Sequence, residues 1–131
     1  MNKKLYLSLF VICIILMSFS NSNTNNITIQ NLSKKWKLSR YSVGWFTEKP
    51  SQKEKNDYIH LSSNMNFTSI SEGVFEKGTW ALKGNRTILS KNNEKESLTF
   101  IVEELTNNEL VLTIDDPNDP DAKYLNIHFK N

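Results

Sequence analysis

The chain has 131 residues, 38% apolar and 23% charged, which is the size and composition of one globular domain and too short for a multidomain assembly. Lys and Arg number 16 against 14 Asp and Glu, and Lys3 and Lys4 supply the whole excess, so residues 21–131 are neutral overall. With no basic surplus to neutralise phosphates, nucleic-acid binding is not expected.

Residues 1–20 read as a signal peptide. A basic start, Met1-Asn2-Lys3-Lys4, precedes a mostly apolar run over residues 5–17. Ser18 and Ser20 place small residues before a cut after Ser20, and Ser20 and Ser22 offer a second cut after Ser22. The apolar run falls short of the roughly 20 residues a membrane-spanning helix needs, so no membrane span is expected in the mature chain. The expected location is periplasmic or extracellular. Cys13, the single cysteine, follows Val11 and Ile12 rather than the small residues that precede a lipid-modified cysteine, so a lipoprotein is the weaker reading. Once the peptide is cleaved, no disulfide, thiolate metal site or cysteine nucleophile remains.

Residues 21–33 are polar, with Asn at 21, 23, 25, 26 and 31, and read as a tether ending in a short turn near residues 29–32. Residues 34–131 form the domain. Their apolar residues recur at period two between polar turns, which predicts strands. Trp36 and Leu38 mark the first strand; beyond them the parity breaks and Tyr41, Val43 and Trp45 sit on the other face, which predicts a bulge or a strand running out into a long loop over residues 47–56. Ile59 and Leu61 mark the second strand, Met65 and Phe67 the third, and Gly78, Trp80 and Leu82 the fourth. Residues 87–90 give the fifth after a Gly84-Asn85 hairpin. Leu98, Phe100 and Val102 mark the sixth, Leu110, Leu112 and Ile114 the seventh, and Leu125, Ile127 and Phe129 the eighth. Eight short sequential strands predict an all-β, up-and-down antiparallel fold, and closure into a barrel is favoured over a sandwich because it removes exposed edges.

Three segments resemble small bacterial secreted lipocalin-like domains. Leu32-Ser33-Lys34-Lys35-Trp36-Lys37-Leu38 is similar to their opening strand headed by Trp, and Gly78-Thr79-Trp80-Ala81-Leu82 to their central Gly-x-Trp-x-Leu strand. Residues 102–112 resemble the late hairpin. The resemblance implies an eight-stranded calyx, exported, that holds any small apolar ligand inside. One departure is Lys34, where the family pattern usually has Gly; the closed end of the barrel is therefore expected to be built differently.

The candidate cavity wall or mouth comprises Trp36, Leu38, Trp45, Phe46, Phe67, Trp80, Phe100 and Leu112. The inward residues among them fit an ordinary filled core as well as a ligand cavity. Trp45 and Phe46, beside Gly44, either cover one barrel end or form a lid or a partner surface. His60 and His128 are expected as solvated outer residues. Asp115, Asp116, Asn118, Asp119 and Asp121 lack the spacing of a calcium loop and read as a rigid turn around Pro117 and Pro120. No catalytic motif, cofactor site or metal-ligand spacing is present. The expected function is an exported, non-enzymatic barrel that binds a small apolar or amphipathic molecule. The alternative is a filled barrel serving as a cell-envelope or extracellular interaction module.

Overall fold

In the computed structural model, residues 24–91 and 97–131 are described; the expected signal peptide, its cut sites and Cys13 lie outside them. A one-turn helix, α1 (Ile29–Leu32), is followed by β1 (Lys35–Val43), β2 (Phe46–Glu48), β3 (Tyr58–Leu61), β4 (Asn66–Ser71) and β5 (Val74–Lys83). Then come β6 (Arg86–Lys91), β7 (Ser97–Leu105), β8 (Glu109–Ile114), a 3-10 turn (Pro120–Tyr124) and β9 (Asn126–Lys130). From β3 to β9 each strand pairs antiparallel with the next; β1 pairs with β3 on one side and with β9 on the other. Eight strands thus close an up-and-down barrel, as the alternation predicts.

The additional strand is β2, which falls where residues 47–56 were expected as loop. Gly44, at φ +57°, turns the chain so that Tyr41, Ser42 and Val43 pair with Glu48, Thr47 and Phe46. The expected bulge lies between Leu38 and Arg40 opposite β9. It inserts one residue, so Leu38 and Tyr41 both reach the interior. A second bulge, between Val102 and Glu104, brings Phe100, Val102 and Leu105 all into the core. Met65, expected in the third strand, instead ends the turn before β4 at φ +69° and packs on the core from there.

One barrel end is closed. Residues 21–33, expected as a tether, are bonded to this end over their described part, residues 24–33. The Asn25 amide donates to the Leu105 carbonyl at 2.7 Å. Thr28 caps α1 by accepting from the Asn31 amide, and Leu32 is fully buried over the core. Trp36 donates its indole N–H to the Leu32 carbonyl at 2.9 Å, and Trp80 donates to the Ser62 carbonyl at 2.8 Å. Lys34 bonds across this end. Its Nζ donates to the Asn107 carbonyl at 3.0 Å and lies 5.4 Å from the Trp36 ring centre. Phe67 pairs directly with Gly78, and a Cβ at Gly78 would sit 2.1 Å from the Ser90 carbonyl oxygen, so only Gly fits there. Burying side chains such as Leu61, Leu105 and Leu110 stabilises this end by roughly 1.5–3 kcal/mol each.

Candidate functional site: a cavity in the open end of the barrel

The opposite end is open. The C-terminal parts of β1, β4, β6 and β8 meet the N-terminal parts of β3, β5, β7 and β9 around a cavity of about 1050 Å³. Its wall is Leu38, Ile59, Phe67, Leu89, Phe100, Ile127 and Phe129, all on the inward face by strand parity. Its mouth is polar and carries Asp57, Glu72, Glu76, Lys91, Asp115 and Asp116. Glu76 pairs with Lys91 at 2.8 Å, and Asp115 with Arg86 at 3.2 Å.

The expected site residues divide into three groups. Leu38, Phe67 and Phe100 line the cavity. Trp36 and Trp80 are buried at the closed end, where their indole nitrogens hold the backbone of neighbouring segments. Leu112 lies between, against a void of only about 10 Å³ shared with Leu32, Thr87 and Leu89. Trp45 and Phe46 are 95% and 81% exposed at the tip of the β1–β2 hairpin. They neither cover a barrel end nor appear among the cavity-lining residues, so their aromatic character has no role in the cavity geometry.

Tyr41 and Asp57 belong to the mouth and were not expected there. Tyr41 comes inward because of the bulge, and its hydroxyl donates to Glu54. Burial, that hydrogen bond and the nearby charges of Glu54, Asp57 and Glu72 hold its phenol well above the ordinary tyrosine value. Asp57 sits just before β3 with 7% exposure. Its Oδ2 accepts from the Glu72 amide at 2.8 Å and thereby fixes the β4–β5 hairpin, where Glu72 itself is at φ +49°. Its Oδ1 is buried with no hydrogen-bond partner among the described residues. The period-two pattern carried no signal for Asp57, because the residue lies outside any strand.

His60 is exposed, as expected. His128 is not a solvated residue: its side chain is 12% exposed. Its Nε2 lies 2.7 Å from Ser42 Oγ on the face of β9 opposite Ile127 and Phe129. Glu109 Oε1 lies 4.0 Å from Nδ1, beyond hydrogen-bond reach, and also pairs with Arg40 at 3.3 Å. Serine and histidine therefore touch without a carboxylate orienting the ring as a hydrolase would require. In the acidic loop, Asp116 accepts from the Asn118 amide and Asp119 from the Asp121 amide, which are local turn bonds. Among the described residues no cluster of three or more His, Cys, Asp or Glu could hold a metal ion, and no helix is long and apolar enough to cross a membrane.

A family model described as a lipocalin-like domain matches residues 32–112, more than half of the chain. A lipocalin-like protein from Bacteroides uniformis has a similar structure, with a TM-score of 0.54 at 20% identity, covering 77% of this chain and 98% of that one. An uncharacterized protein from Bacteroides eggerthii matches with a TM-score of 0.54 at 14% identity, covering 76% and 98%. At these identities the two structures show a shared fold. No curated protein matches the sequence.

Proposed function

Because the chain belongs to the lipocalin-like domain family, we propose that it is an exported, non-enzymatic binder of a small amphipathic molecule held in the open end of the barrel. The observation that carries this reading is the cavity of about 1050 Å³. Small-molecule pockets are typically about 300–1000 Å³, apolar on the wall with a few polar groups. A filled barrel would have no such space between Leu38, Phe67, Phe100 and Phe129. Export is supported by the basic start, the apolar run and the serine-rich cut sites of residues 1–22. Either cut also leaves Asn25, the first of the described residues bonded to the barrel, in the mature chain.

Titration with N-phenyl-1-naphthylamine, a neutral apolar dye that brightens on leaving water, tests the binding reading. Saturable binding at one site per chain is expected, and it should disappear when the protein is unfolded in urea. A linear, unsaturable response from the folded protein would overturn the reading. N-terminal sequencing of the exported protein should begin at Asn21 or Asn23; an intact Met1 on that material would overturn the export claim.

A further inference from the structure

The mouth of the cavity has an excess of negative charge. Five carboxylates line it: Asp57, Glu72, Glu76, Asp115 and Asp116. Lys91 and Arg86 pair with Glu76 and Asp115, which leaves Asp57, Glu72 and Asp116 with no paired cation among the described residues. Asp57 is distinguished from the others by burial and by an incomplete set of bonds. One oxygen accepts from the Glu72 amide; the other, Oδ1, has no donor among the described residues. The nearby phenol of Tyr41 does not supply one, because its proton is committed to Glu54. A buried carboxylate oxygen without a donor is costly unless a ligand completes it.

We propose that the cavity selects an amphipathic monocation, with a primary ammonium head on Asp57 and a hydrocarbon body against Leu38, Phe67, Leu89 and Phe100. This rests on the binding reading above and adds the charge class of the ligand. An ammonium provides three donors and a compensating charge, and Asp57 Oδ1 has neither a donor nor a paired cation among the described residues. A fatty carboxylate would bring a further negative charge to the same place.

Displacement of bound N-phenyl-1-naphthylamine by dodecylammonium, dodecanol and dodecanoate, each below its micelle concentration, separates the possibilities. Dodecylammonium should displace the dye at about ten-fold lower concentration than dodecanol, with dodecanoate weakest; that ratio corresponds to about 1.4 kcal/mol. Asp57→Asn keeps an oxygen to accept from the Glu72 amide and removes the charge. It should abolish the preference for ammonium over alcohol. Glu72→Gln keeps the backbone amide on Asp57 and should reduce the preference several-fold, which secures the test if Asp57→Asn does not fold. Equal displacement by all three chains in the unaltered protein, or a preference that survives in a folded Asp57→Asn variant, would overturn the charge assignment while leaving the cavity reading intact. Failure of the dye itself to bind saturably would overturn both.

Discussion

Two buried polar side chains differ in how their surroundings treat them. Thr87 faces inward beside the small void, and its hydroxyl is buried with no partner among the described residues. Valine has nearly the same shape without the hydroxyl, so Thr87→Val should raise stability by about 1 kcal/mol in urea denaturation. A loss of similar size would mean that the hydroxyl is bonded after all, for instance to a water. His128 has the opposite sign of sensitivity. Burial first, and the charge of Arg40 second, hold its imidazole below the ordinary 6.5, against the opposing pull of Glu109 and Glu104. Protonation is thus penalised in the folded chain alone. The contribution is complete above the unfolded value and is lost as pH falls from there through the folded value. The urea midpoint should therefore drop as pH falls below about 6.5, and His128→Gln should flatten that drop where the exposed His60→Gln does not. A slope unchanged by His128→Gln would show that other groups carry it.

The elements were legible where side-chain alternation decides burial. The alternation of Trp36, Leu38, Ile59, Leu61, Phe67, Trp80 and Phe100 with polar neighbours marks their strands because one face of each meets the core. It failed where hydrogen bonding decides instead. Phe46–Glu48 pairs with β1 while all three residues stay exposed, so no apolar period marks it. Residues 25–33 are polar overall, yet Ile27 and Leu32 seal the barrel end while Ile29 stays exposed, so the three apolar residues of the stretch give no periodic signal of burial. α1 is too short for helical propensity to hold it alone. Leu32→Ala should then cost about 2–5 kcal/mol and release residues 24–33 from the barrel, seen as faster amide exchange at Asn25. A loss below about 1 kcal/mol would show that the plug contributes little to the fold.

At the scale of the whole molecule, the barrel separates a filled half from an open half. The residues expected as one wall, Trp36 to Leu112, in fact span both, because strand parity reports inside against outside and says nothing of height along the barrel axis. The β1–β2 hairpin stands apart from both halves. Replacing Trp45 and Phe46 together by Ser should change stability by no more than about 0.5 kcal/mol and leave dye affinity unaltered; destabilisation by several kcal/mol would overturn the exposed placement. The seam between β1 and β9 has a consequence in time. It joins segments as far apart as Ser42 and His128, separated by 86 positions, so the ring cannot form until the final strand has been synthesised and docked. Until then the flanks of β1 and β8 that β9 will occupy are unpaired ribbons, able to recruit strands from other chains. A chain cut short before Asn126 would lose Ile127 and Phe129 from the cavity wall and keep both sticky edges, so the last strand guards the protein against aggregation as much as it completes the binding site.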